Sequence, residues 1–127
     1  MIKSTLFLYL SLVPKIFADN VKTIKLCEKN VATAYVSPRG TVFEFPTEPE
    51  KVVLGTKNSF SIVYIKSDLA ISPATLSSRS NLFVYLQGRR FVLDLVTLAG
   101  GGVSLYFIKD CDADRIKPET KDAKRKQ

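Results

Sequence analysis

The residues of this chain that could do chemistry by type and spacing are three aspartates at alternate positions. Asp110, Asp112 and Asp114 supply carboxylate oxygens of the kind that a calcium loop uses. Such a loop also needs a glycine at its sixth position and a glutamate at its twelfth, where this chain has Arg115 and Lys121. We therefore interpret the aspartates as an acidic, solvated strand end and expect no metal site.

Nucleophilic catalysis finds no support in the sequence either. Serines are plentiful, but the chain has no histidine to act as their base. Ser78 and Ser80 flank Arg79 and are typical of a turn. Residues 100–102, Gly-Gly-Gly, lack the Gly-Lys-Ser/Thr ending of a phosphate loop, and we predict a hairpin turn there. We expect no catalytic residue and no cofactor, so a small exported enzyme is only the third hypothesis.

Two cysteines, Cys27 and Cys111, stand 84 positions apart. An even number of cysteines in an exported protein favours a disulfide, which would tie the first strand to the end of the last. Two separate buried thiols remain an alternative. A redox or metal role is a further alternative, but a metal needs more ligands than these two residues provide.

The N-terminal residues have the layout of a secretory signal peptide. Lys3 precedes a nearly continuous apolar run at residues 6–13, and Ala18 ends a candidate cleavage site. The run is shorter than the ~20 residues that span a bilayer. We therefore predict a cleaved leader at residues 1–18 and an exported, periplasmic protein. An uncleaved anchor and a cytoplasmic strand are the alternatives.

The other end of the chain is basic and polar. Residues 115–127 hold six basic and two acidic side chains and one apolar side chain larger than alanine. Such a segment buries too little to offset its ordering entropy, so we predict a flexible, solvated tail. Peripheral contact with anionic lipid or peptidoglycan is the alternative. Nucleic acid is not an expected partner, because the tail has no aromatic side chains.

Short β-type runs fill the segment between the leader and the tail. Apolar and β-branched residues recur in runs separated by glycine, proline and polar turn residues, and no helical periodicity is sustained. We therefore predict one all-β domain at residues 19–114, a single β-sandwich, immunoglobulin-like or related, of about eight or nine strands. The predicted strands are residues 21–26, 31–36, 41–45, 51–55, 60–65, 69–71, 82–86, 91–95 and 103–108.

The most informative segment is residues 80–95, two apolar runs around a short turn that contains Gly88, which predicts a β-hairpin. Its first strand is apolar on both faces, because Leu82, Val84 and Leu86 alternate with aromatic residues. One face must fill the core. The other is covered by the proline-containing loop or the N-terminal strand, or it is bound by a partner protein. The candidate interface residues are Phe83, Tyr85 and Phe91, with Arg89 and Arg90 on the rim.

Five short motifs in residues 41–108 carry a resemblance to a known family. They are residues 41–46 (Thr-Val-Phe-Glu-Phe-Pro), 51–55 (Lys-Val-Val-Leu-Gly), 69–73 (Leu-Ala-Ile-Ser-Pro), 80–85 (Ser-Asn-Leu-Phe-Val-Tyr) and 88–95 (Gly-Arg-Arg-Phe-Val-Leu-Asp-Leu). Their order resembles the N-terminal β domain of outer-membrane core-complex subunits of type IV secretion and conjugal-transfer systems, the TrbG and CagX relatives.

This resemblance implies a periplasmic subunit whose β domain packs into a ring beneath the outer membrane. In that family a linker and a second domain follow, and the second domain holds a lipoprotein and a pore-forming subunit. Here the basic tail stands where the linker would begin, so we expect ring or scaffold assembly, as a homo-oligomer or with other envelope subunits. The resemblance implies no catalytic residue. The alternative is a stand-alone secreted or surface binding module of the adhesin or inhibitor kind.

Overall fold

The computed structural model describes residues 20–112, and within this range all regular structure is β-strand. The predicted leader, the basic tail and Asp114 lie outside the described residues. Nine strands follow one another: β1 Val21–Leu26, β2 Val31–Val36, β3 Thr41–Glu44, β4 Lys51–Leu54, β5 Phe60–Ile65, β6 Asp68–Pro73, β7 Arg79–Leu86, β8 Arg89–Thr97 and β9 Leu105–Asp110. The all-β prediction is confirmed.

The strands form two sheets that pack face to face as an open sandwich. The five-stranded sheet has the order β1-β9-β3-β6-β5 and the four-stranded sheet has the order β2-β8-β7-β4. Three neighbouring pairs run parallel: β1 with β9, β9 with β3, and β2 with β8. The remaining pairs are antiparallel. The predicted β-sandwich is therefore confirmed.

The middle of the chain follows the strand order of an immunoglobulin domain. Strands β5-β6-β3 and β4-β7-β8 occupy the places of D-E-B and C-F-G, and β2 lies parallel to β8. The position beside β3, which an immunoglobulin domain gives to its first strand, is taken here by β9. The last strand, β9, runs parallel to β3 and takes the place beside it that the first strand takes in an immunoglobulin domain.

The core lies between the inner faces of the two sheets. Along β7 and β8 every second side chain is buried, as period-two alternation requires. The aromatic rings of Phe43 and Tyr106 stack across neighbouring strands with their centroids 5.2 Å apart. The largest fully buried side chains belong to Leu26, Val36, Thr41, Phe43, Leu69, Ile71, Leu82, Val84, Phe91, Leu93 and Leu95.

The predicted hairpin is confirmed as β7 and β8. Leu86 pairs with Arg89, which leaves Gln87 and Gly88 as a two-residue turn. Their φ angles are 49° and 76°, and two positive values in succession are the signature of a type I′ turn. This turn fixes the register of the whole hairpin.

The glycine run at residues 100–102 is not a hairpin turn, contrary to the sequence prediction. It follows β8 in one sheet and leads to β9 in the other, so it crosses between the sheets. A Cβ atom at Gly102 would lie 2.7 Å from the backbone N of Ser37 and from the carbonyl carbon of Val36. The run therefore serves the close approach of this crossing to the end of β2.

Candidate functional site

A disulfide closes one end of the sandwich. Cys27 follows β1 and Cys111 follows β9, and the parallel register pairs Leu26 with Asp110, so the two cysteines are neighbours. Their sulfur atoms are bonded at 2.03 Å, and their Cα atoms are 5.3 Å apart. The bond ties the first strand to the end of the last, as the sequence predicted, and the alternative of two separate thiols is set aside.

An ion cluster lies beside the disulfide and joins the two sheets. Arg89, the first residue of β8, donates hydrogen bonds through both guanidinium ends to the carboxylate of Asp110 on β9. It also donates to Oδ2 of Asp112 at 3.2 Å. The guanidinium carbon lies 5.1 Å from the centroid of the Phe91 ring. A cation from one sheet is thus held between carboxylates and an aromatic ring at the end of the core.

The electrostatics of the cluster keep both partners charged. Burial pushes the pKa of Asp110 upward, but hydrogen bonds from Arg89 and from the backbone N–H of Asp112, with the charge of Arg89, outweigh it. The net pKa of Asp110 lies below its ordinary value of 3.8. The hydrogen bond to Asp110 is the main reason that the pKa of Arg89 is raised.

The prediction of a solvated acidic strand end is wrong for Asp110. Its side chain is only 10% exposed and is bound by Arg89 from the opposite sheet. A single sequence carries no signal that an arginine 21 positions earlier returns to this site. Among residues 20–112, no group of three or more metal-ligating side chains is arranged to hold an ion.

The outer face of the four-stranded sheet carries an apolar row that crosses all four strands. The register pairs Val31 with Val92, Val92 with Phe83, and Phe83 with Val53. We call these four residues the outer apolar row. At its two ends, Val31 remains 61% exposed and Val53 remains 38% exposed. Such a contiguous apolar surface is the kind that partner proteins cover.

Polar and aromatic side chains flank this row. Tyr85 lies between Lys51 and Arg90 in the neighbouring cross-strand row. The N-terminal strand β1 does not cover the surface, because it pairs with β9 in the opposite sheet. Of the two coverings that the sequence left open, this one is excluded by the structure.

The five predicted interface residues do not share one face. Phe83, Tyr85 and Arg90 point outward, but Phe91 is fully buried in the core opposite Val84. Arg89 pairs with Leu86 on the core side, where it binds Asp110, so it is not a rim residue of the outer surface. The two-residue turn carried this information, since pairing Leu86 with Arg89 places Phe91 beside Val84.

Val31 and Val53 were absent from the predicted surface although they form the two ends of the outer apolar row. Both belong to edge strands that reach the hairpin from distant parts of the chain. Val31 reaches the row through the parallel pairing of β2 with β8, and no turn residues in the sequence indicate that pairing. Strand pairing between remote segments is therefore what assembles this surface.

No protein-family model matches the chain, and no curated protein matches its sequence. The likeness to type IV secretion subunits consequently rests on the order of short motifs described above. Within residues 20–112 the structure contains no helix long and apolar enough to cross a membrane.

Proposed function

We propose that this protein is a non-enzymatic structural subunit that works through protein–protein contacts made by the outer apolar row. The observation that carries the proposal is the alignment of Val31, Val92, Phe83 and Val53 on one solvent-facing sheet. Burying such a row against a partner removes its apolar surface from water, which stabilises the complex by about 25 cal/mol for each Å² buried. The sheet needs no further chemistry for this role.

The surroundings of the row suit a protein partner. Tyr85 and Arg90 lie beside the apolar residues, and tyrosine and arginine are frequent anchors of protein interfaces. Lys51 adds a second positive charge at the same border. An apolar centre with a basic and aromatic border on its Tyr85 side fits a partner surface that is apolar in the middle and acidic along that side.

We assign the protein to the periplasm and to an envelope complex of the type IV secretion or conjugation kind. The Cys27–Cys111 disulfide is compatible with an oxidising compartment outside the cytosol. The order of motifs in residues 41–108 supports the kind of complex. In this role the β domain is a building block of a ring or scaffold.

Cell fractionation followed by crosslinking and affinity capture of the native complex tests the proposal. Val31→Lys places a charge at the exposed end of the outer apolar row and should abolish capture of the complex. The matched control is Val21→Lys, because Val21 also begins an edge strand and is 52% exposed, but lies in the other sheet. This control should leave capture unchanged.

Three results would overturn the proposal. A protein found only as a free monomer in the envelope fraction would contradict a structural role. Release of the processed protein into the medium would instead favour the stand-alone binding module. Equal capture with Val31→Lys and Val21→Lys would show that the contact surface lies elsewhere on the molecule.

A further inference from the structure

Strand β5 is an edge strand without the features that usually protect an edge. Natural edge strands are short or carry charges, which discourages pairing with another chain. Strand β1 contains two lysines and β4 is only four residues long. Strand β5 has six residues, Phe-Ser-Ile-Val-Tyr-Ile, with no charge and no proline. Its sequence therefore contains nothing that would prevent pairing with a further strand.

The edge strand β2 is also uncharged, but its outer side is partly occupied. The backbone C=O of Tyr35 accepts a hydrogen bond from the N–H of Val103 at 3.1 Å. The backbone N–H of Tyr35 donates to the hydroxyl of Tyr106 at 2.9 Å. Within residues 20–112, β5 is the uncharged six-residue edge strand that has no comparable cover.

The register of the β5–β6 hairpin shows which backbone groups face the open edge. The N–H of Ala74 donates to the C=O of Ser59, so that pair is hydrogen-bonded. Because such pairs alternate in an antiparallel ladder, the next pair, Phe60 with Pro73, is not hydrogen-bonded, which suits a proline. The backbone groups of Phe60, and by the same alternation those of Ile62 and Tyr64, therefore point away from β6.

The last three side chains of this edge strand are exposed as well. Val63, Tyr64 and Ile65 are 53%, 54% and 55% exposed, the longest consecutive run of exposed large apolar residues in the described chain. An edge that combines free backbone groups with apolar side chains is the geometry to which an extended strand adds by β-augmentation.

We propose that a second copy of this chain adds to β5, antiparallel, around a two-fold axis that passes through Ile62. The positions whose backbone groups point away from β6 then pair with one another: Ile62 pairs with the partner's Ile62, and Phe60 pairs with the partner's Tyr64. Aromatic and β-branched cross-strand pairs of this kind stabilise antiparallel ladders. The two five-stranded sheets join into one continuous sheet of ten strands.

Self-complementarity is the reason for choosing a second copy as the occupant. A two-fold interface places the same strand on both sides, so charged side chains in it can meet like charges. Strand β5 has no charged residue, and its antiparallel pairing with its own copy therefore brings no like charges together. The contact lies at the edge of the five-stranded sheet, whereas the outer apolar row lies on the four-stranded sheet. The inference thus goes beyond the proposed function and can fail or hold without it.

One six-residue strand per copy makes a small interface, so we expect a reversible dimer with a Kd between about 1 µM and 1 mM. Sedimentation of the purified chain across that concentration range measures it. Tyr64→Pro removes a backbone N–H from the open edge without removing a bond to β6, and it should abolish the dimer while preserving the fold. Val21→Pro, at the first residue of edge strand β1, is the matched control and should dimerise normally.

Cysteine trapping tests the register independently of stability. In a hydrogen-bonded antiparallel pair the Cα atoms lie about 5.5 Å apart, a distance that a disulfide spans. Ile62→Cys should therefore give a disulfide-linked dimer on mild oxidation. Tyr64→Cys should not, because the two introduced positions would be four residues out of register, about 14 Å apart.

The proposal is overturned if the chain remains monomeric up to about 1 mM. It is equally overturned if Tyr64→Pro, with its cooperative unfolding and native disulfide intact, dimerises like the unmodified chain. Trapping through Tyr64→Cys in preference to Ile62→Cys would reject the register. An edge that binds an extended peptide from another protein but never a second copy would also reject the proposal.

Discussion

Arg89 and Asp110 occupy the ends of strands in opposite sheets, and each balances the charge of the other at the edge of the core. The carboxylate is almost enclosed, and the guanidinium stabilises its charged form against the effect of burial. Removing one member of such a pair leaves the other with an unmatched charge, which costs more than the pair itself contributes.

Asp110→Asn should lower the unfolding free energy at neutral pH by about 1–3 kcal/mol, because Arg89 loses its main charged partner. The folded pKa of Asp110 lies below its ordinary value of 3.8. Its contribution is therefore complete above pH 3.8 and disappears as the pH falls through the lower folded value. Urea titrations from neutral to strongly acidic pH should show the variant and the unmodified chain converging in acid.

Asp94→Asn is the control for this measurement. Asp94 pairs with Arg79, whose side chain is largely exposed, so water screens the interaction and the loss should be much smaller. Equal losses in the two variants would mean that the cluster beside the disulfide has no special importance.

Phe91 and Phe83 are close in sequence and lie on opposite faces of the same sheet. Phe91→Ala should cost about 3–5 kcal/mol because it leaves a cavity in a fully packed core. Phe83→Ala removes a half-buried side chain from the outer apolar row and should cost much less. Denaturant unfolding of both variants measures these losses of unfolding free energy. A larger loss for Phe83→Ala would mean that the Phe83 face of the hairpin, and not the Phe91 face, packs in the core.

Among the strands, β9 makes both of the parallel pairings in the five-stranded sheet. It lies between β1 and β3 and is parallel to both. Because β8 belongs to the four-stranded sheet, the connection from β8 to β9 must cross from one sheet to the other. The glycine run provides this connection. At Gly102 it lies close against the backbone of residues 36–37, with no space for a side chain.

Gly102→Ala should destabilise the protein by about 1–3 kcal/mol, because the new methyl group would overlap backbone atoms that cannot easily move. Gly100→Ala is the matched control, since a Cβ atom there meets nothing within 4 Å. Thermal unfolding of the two variants should separate them clearly. A Gly102→Ala variant as stable as Gly100→Ala would contradict the close approach.

For the molecule as a whole, the disulfide connects the end of β1 to the end of β9, the first and last strands of the domain. Residues 28–110 lie within the loop that Cys27 and Cys111 close. A crosslink between distant positions removes many conformations from the unfolded chain, and the chain-entropy relation gives about 4 kcal/mol for a loop of this size.

The paired substitution Cys27→Ser with Cys111→Ser should therefore lower the unfolding free energy by about 4 kcal/mol, with β1 and β9 opening most readily. Denaturant unfolding measures the loss, and hydrogen exchange locates it. The unmodified chain under reducing conditions is the natural comparison. An unchanged midpoint in both would mean that strand pairing alone holds the termini of the domain.

The amino-acid pattern was sufficient to predict the all-β class, nearly every strand, the β7–β8 hairpin and the Cys27–Cys111 pairing. These features depend on alternation along one strand, on turn residues and on cysteine count, which are local properties of the chain. The partner of Asp110, the burial of Phe91 and the crossing at Gly102 were not predicted. Each depends on which distant strands become neighbours, and that choice follows from packing the two sheets together rather than from any single segment.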